Sequence, residues 1–184
     1  MHQETPTPEY DEAHWMRSLE NIANSLGNDG PPVQLCLIGS AVCIFSGMAA
    51  RSSRDLDIWE PSSAYDLLEL KAATEKAGLL FNPKDLLEPE IPYLQLVRPG
   101  IVQIGKFVPI HLFTMGRLVV SHPPIENIIA AKLSRADAKD LQDIQFLVKH
   151  YQPDRVAIKR IITSFAQPAR DAAKENLIYL EIFQ

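Results

Sequence analysis

Residues 37–59 read "LIGSAVCIFSGMAARSSRDLDIW", and the fold turns on how they are read. The apolar run "VQLCLIG" (33–39) ends at Gly39-Ser40. A short apolar run bounded by turn-forming residues predicts a buried strand. Ala41 to Phe45 predict a short helix, broken near Ser46-Gly47. "DLDIW" (55–59) predicts a second strand, with Leu56 and Ile58 on one face and Asp55, Asp57 and Trp59 on the other. Two acids therefore stand on one face of a strand in an otherwise apolar neighbourhood.

Working outward, Met16, Leu19, Ile22, Ala23 and Leu26 recur at helical spacing from about Pro8, and "GNDGPP" stops that helix. After Pro61, Ser62 or Ser63 is expected to cap a helix running to about Ala77, with Gly78 as its stop. Three prolines in "FNPKDLLEPEIP" (81–92) predict a loop, and Pro99-Gly100 inside "YLQLVRPGIVQIG" predicts a hairpin. "FVPIHLF" (107–113) predicts a strand with Val108, Ile110 and Leu112 on one face, placed at an edge or bulged by Pro109. From Pro123 the chain reads as helical to its end, each later helix opening with Pro in its first turn. The expected architecture is α+β: a small mixed sheet flanked by helices, with a helical C-terminal part. Residues 1–8 are expected to be flexible, 9–122 to form the core, and 123–184 to pack on it.

The chain has 184 residues, 46% hydrophobic and 22% charged, so it can bury a core without disulfides. A net charge of −5 argues against a surface coated for gripping nucleic acid. Positive side chains concentrate after residue 130 all the same. Cys36 and Cys43 fall in apolar surroundings and read as small buried hydrophobes. The acidic, polar start has the wrong sign for a targeting peptide, and no apolar run approaches the ~20 residues that span a bilayer. A cytoplasmic protein with no membrane partner is expected. The motifs of phosphate-binding loops, dinucleotide folds, zinc proteases and serine hydrolases are absent from the sequence.

Two carboxylates two residues apart on a strand repel each other unless a cation lies between them. Magnesium suits that place, because it takes hard oxygen ligands from one or two carboxylates and from substrate phosphates. A strand that turns at Gly39-Ser40 into a helix brings backbone N–H groups and a hydroxyl toward a phosphate. Each piece sits in the context it requires.

These residues carry a resemblance. Ile38-Gly39-Ser40 followed by Asp55-Leu56-Asp57-Ile58 resembles the signature of the nucleotidyltransferase superfamily, the minimal DNA polymerase β-like fold. Arg51-x-Ser53-x-Asp55-x-Asp57 looks most like its AbiEii-type, toxin-like branch. "IIAAKLSRADAKDLQDIQFLV", with Lys132, Leu133, Lys139, Asp140 and Asp143, is similar to a second block of that branch. The resemblance covers roughly residues 33–149. It implies a nucleotidyltransferase-like fold that transfers NMP from an NTP to a hydroxyl of RNA or protein, as a toxin with an antitoxin-like partner.

Asp55 and Asp57 would bind one or two Mg2+ ions, and Gly39 and Ser40 would hold the triphosphate. Arg51, Ser53 and Arg54 would lie along the phosphates, Lys132 would reach one, and Asp140 would orient Lys132 or a hydroxyl. The family's third carboxylate belongs on a later strand beside the first two, and His111 in "FVPIHLF" matches that position. His111 then reads either as a general base or as the mark of a degenerate fold that binds a nucleotide or partner without reaction. Glu88 and Glu90 are alternative oxygen donors. A small-molecule acceptor, as in the aminoglycoside nucleotidyltransferases, is a third reading.

Overall fold

The computed structural model describes residues 10–85 and 90–183. In chain order the elements are α1 (Glu12–Leu26), β1 (Val33–Ile38), α2 (Ala41–Phe45), β2 (Asp55–Trp59), α3 (Leu67–Lys76), β3 (Leu80–Phe81), β4 (Tyr93–Val97), β5 (Ile110–Met115) and β6 (Leu118–His122). Then follow α4 (Ile125–Leu133), α5 (Ala138–Tyr151), α6 (Arg155–Thr163), α7 (Ala169–Glu175) and α8 (Tyr179–Ile182). The strands form one mixed sheet in the order β3-β4-β2-β1-β6-β5. β1 runs antiparallel to β2 and parallel to β6, β4 is parallel to both β2 and β3, and β5 is antiparallel to β6. The molecule is thus mixed α+β, with a helical C-terminal part as expected.

Both faces of the sheet are covered. Val33, Leu35 and Leu37 of β1 and Leu56 and Ile58 of β2 pack with α1 and α3 around Trp15, Leu19, Ile22 and Leu70. Cys36 and Ile38 of β1 and Trp59 of β2 pack on the opposite face with α4, α5 and α6. This double burial is why β1 reads as a continuous apolar run rather than an alternating one. It also fixes the face of the aspartates. Residues 55, 57 and 59 share a side, so Asp55 and Asp57 look toward the layer of C-terminal helices.

The bounds of α2 and β2 are those the sequence predicts; other expectations need correction. The helix after Pro61 is capped by neither Ser62 nor Ser63. Asp66 caps α3, accepting from the Glu69 N–H at 2.8 Å. Ser63 instead ties the strands, with its hydroxyl accepting from the Cys36 N–H and donating to the Trp59 carbonyl. The predicted hairpin over "YLQLVRPGIVQIG" does not form. β4 pairs with β2 and β3, while Val102 makes a single bridge to Pro99 and Ile104 turns into the C-terminal core.

The strand expected over 107–113 starts only at Ile110, and Val108 is exposed. It does lie at the sheet edge, with a register shift between His111 and Phe113. β3 and β6 are additional to the strands that the sequence predicts. Among the later helices Pro153 precedes α6, whose cap is Asp154, Pro168 caps α7, and α5 opens on Asp137 without proline. The flexible stretch expected at 1–8 lies outside the described residues, as does Glu88. No described helix is long and apolar enough to cross a membrane.

Cys36 and Cys43 are fully buried and unpaired. Burial pushes the Cys36 thiol up to about 11 and the Cys43 thiol up to about 12. Reaction needs the thiolate, so at pH 8 neither thiol should react with a disulfide reagent in the folded protein. Both should react promptly in strong denaturant. One rapid equivalent under native conditions would contradict this packing.

Candidate active site

The site is built where β1, α2 and β2 meet. Gly39 leaves β1 with φ of +68°, a conformation that costs an L-residue roughly 1–2 kcal/mol. A Cβ placed there would lie 2.9 Å from Asp57 Oδ2. Glycine thus meets two demands at once: the turn out of the strand, and the close approach of backbone to a carboxylate. Gly39→Ala is expected to lose at least the conformational 1–2 kcal/mol, read as a lower urea midpoint. It should also displace the Asp57 carboxylate.

Asp57 lines a cleft of about 410 Å³ together with Gly39, Lys132, Ser134 and Arg135. The far walls come from the 100–104 loop, from Ile128 and Ala131 of α4, and from Gln167, Pro168, Ala169 and Ala172 around the start of α7. Burial, and then the neighbouring charge of Asp55, pushes the Asp57 carboxyl up to about 7, against the pull of Arg135 and Lys132. Asp55 is half-buried beside it and accepts a 2.6 Å hydrogen bond from the Ser53 hydroxyl.

Behind the cleft lies a network of five charged side chains. Lys132, 3% exposed, donates from Nζ to Asp140 Oδ1 at 3.0 Å and to Asp143 Oδ2 at 2.7 Å. Arg135 grips Asp140 through two nitrogens, and Arg51 grips Asp143 the same way, Nε to Oδ1 at 2.7 Å and Nη2 to Oδ2 at 3.0 Å. Three cations meet two buried carboxylates, and Arg135 and Lys132 act on Asp57 across the cleft. Asp140 thus holds Lys132 directly. Arg51 is not among the residues lining the cleft; its guanidinium pins the loop before β2 to α5.

The remaining predicted residues are placed as follows. Ser40 precedes α2 but makes no capping bond through its hydroxyl. α2 is only five residues long, too short for a useful helix dipole at its N-terminus. Arg54 lies over the Tyr93 ring, 5.5 Å from its centroid. Glu90 accepts through its backbone carbonyl from the Tyr10 hydroxyl, and its side chain is exposed.

His111 is not beside the aspartates. It lies on edge strand β5, and β6 and β1 intervene between β5 and β2. At about 4.8 Å per strand the separation is roughly 14 Å. Its imidazole bonds Thr114 Oγ1 at 2.9 Å in an exposed position. The later strand that does lie next to β2 is β4, where Tyr93 pairs with Asp55 and Gln95 with Asp57. Paired residues share a face, so Gln95 occupies the place expected for a third carboxylate. Its amide donates to Asn82 Oδ1 at 2.7 Å. A polar residue between Leu94 and Leu96 is the signal that would have marked it. Arg135, one of the positive side chains after residue 130, also lines the cleft.

The donor set suits one magnesium ion that completes its shell with phosphate oxygens: two carboxylates on one strand face, the second beneath a glycine turn. It does not make a closed protein cage. Among the described residues no three His, Cys, Asp or Glu side chains gather as a metal-binding group.

No family model, curated protein or solved structure matches this chain. The nucleotidyltransferase resemblance therefore rests on the sequence motifs alone.

Proposed function

We propose that the protein is a magnesium-dependent nucleotidyltransferase that moves NMP from an NTP to a hydroxyl. The observation that carries this reading is Asp57 in a cleft of about 410 Å³ beneath Gly39, with Lys132 and Arg135 on the cleft wall and Asp55 beside it on the same face of β2. Asp55 and Asp57 would hold the metal, which when bound neutralises phosphate charge as pyrophosphate leaves. Gly39 lets a phosphate approach the backbone. Lys132 and Arg135 set a positive potential at the cleft wall where the triphosphate's charge would lie. The largely apolar far walls suit a base or an acceptor.

The acceptor is read as RNA or protein from the cations after residue 130, in a cytoplasmic setting and with an antitoxin-like partner. Several of those cations are engaged within the fold, since Lys132 turns inward, the exposed Arg135 grips Asp140, and Arg155 pairs with Glu181.

A second reading has its own observation. Gln95 carries no charge and accepts no proton, so the fold binds Mg·NTP without transferring it. Titration calorimetry with each Mg·NTP, alongside label transfer to total RNA and protein, separates the two. No binding of any nucleotide by wild type would sink both. Binding without transfer, converted to transfer by Gln95→Glu, would establish the second.

A further inference from the structure

We propose that Ser53 is a positioning residue for the Asp55 carboxylate, and that the N-terminal helix α1 holds Ser53 in place. The inference rests on reading Asp55 as a metal ligand. Ser53 lies in the segment 51–54, between α2 and β2, outside any helix or strand. No ladder fixes it, yet all three of its polar groups are engaged. Its N–H donates to the Tyr10 carbonyl at 3.1 Å. Its carbonyl accepts from Trp15 Nε1 at 2.8 Å. Its hydroxyl donates to Asp55 Oδ1 at 2.6 Å.

Trp15 is fully buried against α3 and the sheet, so the indole N–H is a fixed point rather than a mobile donor. The residues on either side are tied as well. The Arg51 side chain bonds Asp143 and the Ser52 carbonyl, and the Arg54 carbonyl accepts from the Tyr93 N–H.

The physical need for such a clamp is plain. Asp55 and Asp57 repel, and an aspartate without a partner would rotate away from its neighbour. One hydrogen bond to Oδ1 fixes the carboxylate plane and leaves Oδ2 and the remaining lone pairs for a cation. Partners of this kind, one bond behind a metal ligand, are worth roughly ten- to a hundredfold in metal affinity. Here the partner is itself set by a helix some forty residues earlier in the chain, between Asp11 and Gly27. An N-terminal element with no side chain lining the cleft thereby controls the metal site.

The test measures Mn2+ alone, by the loss of its free EPR signal, on the full chain. Ser53→Ala should weaken Mn2+ binding roughly ten- to a hundredfold, and Ser53→Thr, which keeps the hydroxyl, should restore it. Trp15→Phe keeps a buried ring and removes only the indole N–H; it should weaken binding in the same direction with a small change in urea midpoint. In turnover, the Ser53→Ala defect should appear as a raised metal requirement that saturating Mn2+ overcomes, which a merely unfolded fraction would not show. Wild-type Mn2+ affinity in Ser53→Ala would overturn the proposal alone. Absence of Mn2+ binding by wild type would overturn the metal reading, and the proposal with it.

Discussion

Asp143→Ala is expected to cost about 3–5 kcal/mol of folding stability, the range for breaking a buried ion pair by removing one partner. Asp143 is completely buried and accepts from both Arg51 and Lys132. Among the described residues, its loss leaves a 3%-exposed ammonium with Asp140 as its remaining acidic partner and the Arg51 guanidinium without its two bonds to a carboxylate. Against a typical total of about 5–15 kcal/mol, such a variant sits near the edge of folding. Urea midpoints would show it directly. The control is Lys71→Ala: Lys71 and Glu75 pair at 3.8 Å with both side chains about half exposed. That change should move stability by less than about 0.5 kcal/mol. Equal midpoints for the two variants would mean the network is solvated rather than buried.

Asp57→Asn should abolish nucleotidyl transfer, by roughly a thousandfold or more, and still make the metal-free protein more stable at pH 8. Metal-borne charge stabilisation is worth several kcal/mol, and about 1.4 kcal/mol is tenfold in rate. The stability effect follows from linkage. The Asp57 carboxyl is pushed from its ordinary 3.8 up to about 7 in the fold, by burial first and Asp55 second. The native protein therefore holds a proton there that the unfolded chain releases. This group's contribution is fully present below its unfolded pKa and is lost as pH rises through about 7. Asparagine has no proton to lose. Its advantage should thus be absent near pH 4, grow toward pH 7, and shrink when Mg2+ is added to wild type. A variant less stable than wild type at pH 8 without metal would contradict the buried, like-charged setting of Asp57.

Much of this arrangement was legible in the sequence, and the gaps have physical causes. β1, α2 and β2 could be read because each combines an apolar run with a hard stop, such as Gly39 or Pro61. The face of Asp55 and Asp57 followed from the two-residue period of a strand. Sheet order did not follow. Periodicity says that "YLQLV" is a strand, but not that it returns beside β2 in parallel, so the sequence points to His111 where the sheet places Gln95 beside Asp57. β6 is hard to read because the two-residue turn Gly116-Arg117 folds "TM" and "LVVSH" into a hairpin with no Pro or Asn-Gly to mark it. The ion network was half visible. Lys132, Asp140 and Asp143 stand at helical spacings, but that Arg51 would reach Asp143, 92 residues away, is a tertiary fact.

The cleft draws one wall from residues 38–57 and its others from residues 100–172. That division has a consequence in time. During synthesis the two aspartates leave the ribosome long before the helices that enclose them. A nascent chain therefore carries exposed carboxylates and no complete cleft until Ala172 has emerged. Whatever ligand this protein takes, an unfinished copy has no means of taking it, so a truncated or stalled product would be inert toward that ligand.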